Sequence, residues 1–304
     1  MRTNRWMAAL TGAVALTAGI AASAGVFLRG SGATEVVTST RGETYEMATD
    51  GVYAYNAMRV VAEGIGWDVF TLAVVVPALL FASVWVARGS FRGRLVAAGL
   101  LGYVAYMYLE YAVTWAFGPL FPLFIAIYAA SLIAVLWIGA ELAADGLGDR
   151  FASTFPRRSW AVLSLGMAFL LTALWAQRIA QGMAGPPILH GETTMTVQAL
   201  DLGLVVPAAV LIAILALRRW PPGLAAAAAF AVMFTAICAA IGSMLVSAWL
   251  VTGVLELPPI VIFGVASIAG LVIGTHMFRS VTHPQRAAAN ATTLDARAGL
   301  PAVG

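Results

Sequence analysis

The chain contains no lysine and few charged residues of any kind. Charged residues make up 10% of its 304 residues, whereas soluble domains carry about 25%. Hydrophobic residues reach 61%, and the mean hydropathy is +0.90. This composition excludes an ordinary soluble domain, and a formal net charge of only +3 gives no reason to expect nucleic acid as a partner. It predicts an integral membrane protein whose first partner is the lipid bilayer.

Residues for covalent, redox or metal chemistry are also scarce. The single cysteine, Cys238, allows no internal disulfide and no cysteine-based metal or redox motif. The three histidines lie in different segments, which argues against a bis-histidine haem. No HExxH zinc motif, phosphate-binding glycine loop or GxSxG nucleophile elbow is present. We therefore predict no catalytic residues, no metal site and no cofactor, and we rank an enzymatic function last.

Eight apolar runs are long enough to cross a bilayer as helices. A crossing helix needs about 20 predominantly apolar residues, and each run approaches or exceeds this length. The sequence predicts an all-α, polytopic membrane protein, a bundle of about eight transmembrane helices. The predicted spans are Trp6–Leu28, Trp67–Ala87, Leu95–Phe117, Leu120–Leu142, Trp160–Ala176, Ala199–Leu217, Leu224–Leu250 and Leu257–Phe278.

The distribution of arginine predicts how these helices are oriented. Thirteen of the 17 arginines lie in the terminal segments and in alternate connections. Only Arg29, Arg41, Arg59 and Arg178 lie in the other connections. The positive-inside rule then places both termini in the cytoplasm. A basic set made of arginine alone fits a GC-rich bacterial genome, so the expected location is the bacterial inner membrane.

The first span has a second interpretation. Arg2 and Arg5 precede an apolar stretch that ends in Ala22-Ser23-Ala24, a pattern typical of a cleavable signal sequence. Its length of about 23 residues favours a retained membrane anchor instead. Cleavage would leave seven spans and an N-terminus outside the cytoplasm.

Two stretches of the chain share a pattern. GWDVFTLAVVVPALL contains Asp68 and Pro77, and LDLGLVVPAAV contains Asp201 and Pro207. An arginine follows each proline by 11 positions, whereas the aspartate precedes the proline by nine positions in one stretch and by six in the other. We interpret the chain as two parallel four-helix repeats. The alternative is that arginine-ended apolar helices resemble one another in any case.

The repeat hypothesis divides the chain into three parts. The first membrane half is 1–146, with an extended outer loop at about 29–66. The second membrane half is 147–287. The remaining residues, 288–304, are rich in small and polar residues and are predicted to form a disordered cytoplasmic tail.

The two aspartates and two prolines predict local features of their helices. Asp68 and Asp201 are expected at the outer end of an inward-going helix, where the helix dipole stabilises a carboxylate by roughly 0.3–1 kcal/mol. The simplest interpretation is therefore a helix cap. Pro77 and Pro207 are expected to kink their helices, because proline cannot donate the internal hydrogen bond. The alternative is that both aspartates belong to a binding site.

Glu110 is the sharpest signal of function. It is expected about 10 Å inside the membrane boundary, where an ionisable residue marks a functional site by default. Tyr103 and Tyr106 share its helical face, and Arg178 is a candidate counter-charge. Alternatively, Glu110 reaches the interface within an aromatic belt. The predicted ligand-binding residues are Glu110, Tyr103, Tyr106, Asp68, Asp201 and Arg178.

The segments ALDLGLVVPAAVLIAILALRRWPPG and ARGSFRGRLVAAGLLGYVAYMY carry a family resemblance. The chain resembles a family of uncharacterised multi-pass bacterial membrane proteins. This resemblance implies the multi-pass fold, and it implies no activity. The residues that carry it are Asp68, Pro77, Arg88, Gly89, Ser90, Tyr103, Tyr106, Leu120, Phe121, Asp201, Pro207, Arg218 and Arg219.

Two functional hypotheses lead from the sequence. The first is a transporter-like protein with an outward-facing polar site between two repeats, which would take a small-molecule ligand. The second is a non-transporting scaffold or sensor that binds a membrane partner protein or a small ligand at its outer face. A membrane enzyme ranks third because no catalytic constellation is visible.

Overall fold

The structure is a computed structural model that describes residues 2–148 and 150–282. Eight helices in this part of the chain are long and apolar enough to cross a membrane. The predicted all-α multi-pass bundle is therefore confirmed, with one short β-hairpin added to it. The predicted tail, 288–304, lies outside the described residues.

The elements follow one another as eight crossings, with the hairpin between the first and the second. Crossings two and six each consist of two α-helices joined by a π-helical turn. In chain order the elements are α1 (Arg2–Phe27), β1 (Thr34–Thr38), β2 (Thr44–Ala48), α2 (Met58–Phe70), α3 (Val76–Ala87), α4 (Phe91–Thr114), α5 (Phe121–Ala144), α6 (Arg157–Ala184), α7 (Thr196–Leu200), α8 (Val206–Leu217), α9 (Pro221–Thr252) and α10 (Leu257–Arg279).

The two ends of the bundle differ and are named here by their contents. The hairpin side carries the antiparallel strands β1 and β2, and the segment 185–195 between α6 and α7. The arginine-rich side carries the start of α1 and the turns that join α3 to α4 and α8 to α9. Crossings one to four form the first half, and crossings five to eight form the second half.

A π-helical turn precedes each mid-membrane proline. The turns are Thr71–Val75, before Pro77, and Asp201–Val205, before Pro207. A proline lacks an N–H, and its ring crowds the carbonyl four residues earlier. That carbonyl lies within the π-helical turn in both crossings, where the wider backbone relieves the crowding. The sequence predicted a kink at each proline, and the structure shows a π-helical turn before each of them.

Asp68 and Asp201 do not cap their helices, so the predicted capping role is wrong. Helix α2 begins at Met58, well before the predicted start of the second span, and Asp68 lies near its other end. Asp201 follows α7 directly and opens the second π-helical turn. The polar residues Arg59 and Glu63 lower the hydropathy of the first turns of α2, which hid the true start of this crossing.

The two tight turns on the arginine-rich side are built alike. Backbone hydrogen bonds that join α3 to α4 recur at the corresponding residues between α8 and α9. Gly89 and Arg219 hold the same place, with φ of +72° and +56°. A Cβ on Gly93 would lie 2.5 Å from a side chain of the preceding helix, and one on Gly223 would lie 2.6 Å from the equivalent side chain. Residues of α4 and α9 can therefore be compared position by position.

The arginine-rich side is closed by contacts between connections. Arg92 donates a hydrogen bond to the carbonyl of Val281 over 2.7 Å. Phe151 pairs with Val281 through an isolated β-bridge, and its ring packs against Phe91. The buried Arg94 forms an ion pair with Asp145 at the end of α5. These contacts seal the bundle at this end.

Candidate functional site

A cavity of about 670 Å³ lies in the second half and reaches the hairpin side. This volume is within the range of about 300–1,000 Å³ that is usual for small-molecule sites. Its walls come from α6, α7, α8, α9 and α10, and residues of α2 and α4 complete it from the first half. Both halves therefore contribute side chains to one cavity.

The corresponding interior of the first half is filled by aromatic rings. Tyr53 and Trp115 pack at 4.4 Å between ring centroids, and Tyr111 contacts both. Aligning α4 with α9 by their matching turns shows what replaces these rings in the second half. Smaller, non-aromatic residues stand there, and all of them line the cavity. The pairs are Tyr108 with Cys238, Tyr111 with Ile241, and Trp115 with Leu245.

Glu110 lines this cavity from α4. Its carboxylate makes no hydrogen bond and no ion pair with any residue of 2–148 or 150–282. A carboxylate so placed at membrane depth costs free energy unless it serves a ligand or a proton. It is the one carboxylate on α4.

Asp201 lies beside the same face of α4. Tyr106 donates a hydrogen bond to Asp201 Oδ1 over 2.5 Å, and Trp175 Nε1 donates to Asp201 Oδ2 over 2.8 Å. Both carboxylate oxygens therefore have a neutral donor, one from α4 and one from α6. Asp201 is the first residue of a π-helical turn, a feature that is frequent at functional sites.

Arg178 lines the cavity, but it does not form the predicted ion pair with Glu110. Its guanidinium donates a hydrogen bond to the carbonyl of Ile188 over 2.9 Å. No carboxylate of the described chain lies within 4.0 Å of it. The end of α6 places this arginine closer to the segment 185–195 than to α4, so its charge acts on that segment.

The segment 185–195 forms part of the cavity mouth, and Glu192 lies in it. Burial raises the pKa of Glu192 to about 7, the positive charge of Arg178 opposes this rise, and the negative charge of Glu63 adds to it. His190 also lines the mouth, and burial lowers its pKa. Near neutral pH, Glu192 is therefore only partly ionised, and His190 is mostly uncharged.

The β-hairpin holds this segment in place. Glu43 accepts hydrogen bonds from the backbone N–H groups of Leu189 and His190, each over 2.9 Å. His190 Nδ1 lies 3.9 Å from Glu43, but a neutral histidine forms no ion pair, so the backbone bonds hold the contact. Gly191, at φ +85°, lets Tyr45 pack against the backbone, where a Cβ would lie 2.4 Å from the tyrosine oxygen.

Three charged residues on the hairpin side link α2 to α10. Arg59 donates to Glu63 over 3.0 Å and to Glu256 over 2.7 Å. All three line the cavity and are partly exposed. The arginine is therefore matched by two carboxylates. These three residues are not among the predicted ligand-binding residues, although the Arg59–Glu63 spacing of one helical turn is a visible signal in the sequence.

Asp68 and Tyr103 lie away from the cavity, in the packed interior of the first half. Asp68 is 0% exposed and accepts hydrogen bonds from Tyr53 over 2.6 Å and from Tyr111 over 3.4 Å. Tyr103 bonds to Thr71 over 2.8 Å. The structure therefore brings together four of the six predicted site residues, Glu110, Tyr106, Asp201 and Arg178.

The two aspartates do not hold the same place before their prolines, as their unequal spacings of nine and six residues indicate. Thr71 and Asp201 each open a π-helical turn six residues before the proline, so these two residues correspond. Asp68 corresponds to Gln198, which lines the cavity. Nothing in the sequence distinguished Trp175 from other interfacial tryptophans, and its contact with Asp201 appears only in three dimensions.

The described residues contain no group of three or more His, Cys, Asp or Glu side chains placed to hold a metal ion. The cavity walls are instead apolar, with charged residues confined to the hairpin side. No family model, no curated protein and no solved structure matches the chain. The eight apolar helices identify it as a multi-pass membrane protein.

Proposed function

We propose that this chain is a transporter-like protein that binds a small molecule in the cavity and exposes it alternately to the two sides of the membrane. The observation that carries this proposal is the cavity itself. It is of ligand size, reaches one side of the bundle, and holds the unpaired carboxylate of Glu110 at membrane depth.

The structural similarity of the two halves supports the proposed transporter-like function. The π-helical turns before Pro77 and Pro207, and the matching turns at Gly89 and Arg219, favour two parallel four-helix repeats, 1–146 and 147–287. Many transporters bind their substrate near the interface of two repeats, beside interrupted helices. The cavity has both features, since Glu110 comes from the first half and Asp201 from an interrupted crossing of the second.

The distribution of arginine supports an orientation for this proposal. With the hairpin side outside and both termini in the cytoplasm, the arginine-rich turns meet the cytoplasmic lipid head groups of a bacterial inner membrane. The cavity then faces outward. The contacts of Arg92 and Phe151 with Val281 close the cytoplasmic end. The structure would thus be the outward-facing state.

The packing of α6 supports a candidate moving part. Helix α6 packs mainly against α8, and it makes little contact with α9 or α10. The pair α6–α8 is therefore the loosest wall of the cavity. Rocking of this pair about the second π-helical turn would close the hairpin side and open the opposite side.

Labelling of an introduced cysteine tests this proposal. In a Cys238→Ala background, Met167→Cys places a thiol on the cavity wall at mid-membrane depth in α6. Phe169→Cys, two residues away and 77% exposed on the outer surface of the bundle, is the matched control. Sealed vesicles of either orientation are then treated with a membrane-impermeant maleimide.

If the protein is transporter-like, Met167→Cys is labelled from the hairpin side and more slowly from the arginine-rich side. The Phe169→Cys variant stays unlabelled from both sides, because lipid covers it. Labelling of Met167→Cys from the hairpin side alone, under all conditions, would favour a non-transporting protein. Absence of labelling from both sides would overturn the proposal.

The second candidate function is a non-transporting scaffold or sensor that binds a partner at its outer face. The β-hairpin is the observation that favours it. Val36 on β1 is 67% exposed and Tyr55 next to the hairpin is 65% exposed, both on the hairpin side. Such exposed apolar groups suit a membrane partner protein. Stable co-purification of a partner that is lost in Val36→Asp, without two-sided labelling, would support this function.

A further inference from the structure

We propose that the cavity binds an amphipathic organic cation, with its charged group between Glu110 and Asp201 and its apolar body between α6 and α9. This inference rests on the proposed function, because it names the ligand class of the same cavity. It is carried by the charge balance and by the division of the walls into a polar and an apolar part.

The charged residues that line the cavity are mostly acidic. Five carboxyl groups, of which Glu192 is only partly ionised near neutral pH, stand against two guanidinium groups, and the side chain of His190 carries little charge at this pH. Arg59 is already bound to two of the carboxylates. The remaining carboxylates have Arg178 alone to balance them, and it forms no ion pair with them. The carboxylates are Glu63, Glu110, Glu192, Asp201 and Glu256.

Glu110 and Asp201 face the same part of the cavity. Tyr106 lies one helical turn before Glu110 on α4, and its hydroxyl group fixes Asp201 beside that turn. The donors on Asp201 are neutral, so its charge is oriented without being neutralised. An ammonium or other organic cation between the two carboxylates would supply the missing positive charge. Trp175 and Trp67 also line the cavity, and aromatic rings are favourable neighbours for a cation.

The part of the cavity nearer the arginine-rich side is apolar. Its walls are methionine, phenylalanine and aliphatic side chains, and the hydroxyl of Ser164 is already bonded to the carbonyl of Ala209. Methionine side chains adapt to ligands of different shape. An inorganic ion bound near the carboxylates would leave this region empty. A sugar in it would find no partners for its hydroxyl groups. The apolar lining residues include Met167, Leu171, Phe230, Met233 and Phe234.

An inorganic cation fits the walls less well than an organic one. Within 2–148 and 150–282, no three acidic, histidine or cysteine side chains converge as metal ligands. The acidic residues instead lie toward the hairpin side of a cavity whose other walls are apolar. This arrangement matches a molecule with one charged end and a hydrophobic body, and it disfavours anionic amphiphiles.

A pair of probes with the same shape and opposite charge tests the inference. The purified protein in phosphatidylcholine nanodiscs is titrated with tetraphenylphosphonium and, separately, with tetraphenylborate, by equilibrium dialysis against empty nanodiscs. The inference predicts saturable binding of the cation at one site and no saturable binding of the anion. Equal binding of both ions, or no saturable binding of the cation, would overturn it.

Substitutions locate the cation in the cavity. Glu110→Gln removes the charge with little change in shape, and it should lower the affinity for tetraphenylphosphonium by about tenfold or more. Glu110→Asp keeps the charge and should retain most of the affinity, which separates the charge from a structural effect. Glu35→Gln, on the exposed hairpin strand β1, is the matched control and should change nothing. An unchanged affinity in Glu110→Gln contradicts the inference.

Two further arms complete the experiment. In phosphatidylethanolamine nanodiscs, a lipid whose ammonium group occupies the cavity would compete with the probe and lower its apparent affinity. If the natural ligand is a free cationic amphiphile, the affinity for the probe stays unchanged. The labelling of Met167→Cys separates this inference from the proposed function. Labelling from both sides without cation binding would overturn the ligand class alone. If neither two-sided labelling nor cation binding is observed, both the proposed function and the ligand class are overturned.

Discussion

The hydroxyl group of Tyr106 on α4 donates a hydrogen bond to Asp201, at the start of the second π-helical turn, over 2.5 Å. This bond joins the first half of the bundle to an interrupted crossing of the second half. It also fixes the carboxylate that lies next to Glu110 in the cavity. Removing it should therefore affect stability and cation binding together.

Tyr106→Phe is expected to lower the free energy of unfolding by about 1–3 kcal/mol, because a buried carboxylate oxygen loses its donor. Tyr128→Phe is the control, since the hydroxyl of Tyr128 has no hydrogen bond within the described chain and its loss should cost less than about 0.5 kcal/mol. Thermal unfolding in detergent, compared with the wild type, measures both. Equal effects of the two substitutions would show that the Tyr106–Asp201 hydrogen bond does not contribute to stability.

Gly25→Ala is expected to destabilise the first half by about 1–3 kcal/mol or more. A Cβ on Gly25 would lie 1.9 Å from Asp68 Oδ2 and 2.3 Å from the hydroxyl of Tyr53. Gly12→Ala in the same helix is the control, because its Cβ would meet no atom closer than 3.9 Å. The melting temperature should fall for the first variant only. A stable Gly25→Ala protein would show that the buried Asp68 cluster is loosely packed.

Ile241→Tyr is expected to fill the cavity with a ring like that of Tyr111 in the first half. The variant should fold, yet it should block labelling of Met167→Cys and binding of tetraphenylphosphonium. Val246→Tyr on the outer surface of α9 adds the same ring outside the cavity and should do neither. Full labelling in the Ile241→Tyr background would mean that the two helix registers do not correspond as the matching turns imply.

Glu192→Gln is expected to change how stability depends on pH. The pKa of Glu192 is raised from 4.5 to about 7, so the folded protein holds its proton more tightly than the unfolded chain does. This contribution is fully present below about pH 4.5 and is lost as the pH rises to about 7. The variant should therefore match the wild type near pH 4 and exceed its melting temperature at pH 8. A constant difference across this range would exclude the buried carboxyl as its cause.

Glu43→Gln is expected to loosen the segment 185–195. The substitution weakens the two bonds to the backbone N–H groups of Leu189 and His190, because a neutral amide oxygen accepts less strongly than a carboxylate. Hydrogen–deuterium exchange should accelerate at these two residues. Glu46→Gln, three residues away on β2 and exposed, is the control and should leave the exchange unchanged. Unchanged exchange in Glu43→Gln would show that the hairpin does not hold the segment.

The number of crossings could be predicted from the sequence, because hydropathy acts locally. The start of α2 could not, since Arg59 and Glu63 look like loop residues until Glu256 is seen beside them. The correspondence of Thr71 with Asp201 follows from aligning the two prolines, whereas the π-helical turns that these two residues open have no sequence signature.

Sequence analysis predicted the candidate site best at Glu110, whose position inside an apolar helix is enough to single it out. Glu110 is conspicuous because an acidic side chain inside an apolar helix is costly wherever it faces. Asp68 has the same chemistry, but Tyr53, from the connection before α2, covers it and the interior closes around it. An acidic residue packs against aromatic rings or lines a cavity depending on residues elsewhere in the chain. Tyr111 fills the interior of the first half, whereas Ile241 leaves space at the corresponding position of the second half.

The most direct test of the central claim compares the labelling of Met167→Cys and Phe169→Cys from the hairpin side, in the Cys238→Ala background. Both positions lie at nearly the same depth on α6, and they differ in facing the cavity or the lipid. The account predicts rapid labelling of Met167→Cys, protection by tetraphenylphosphonium, and no labelling of Phe169→Cys. Equal labelling of the two positions, or none at either, would contradict it.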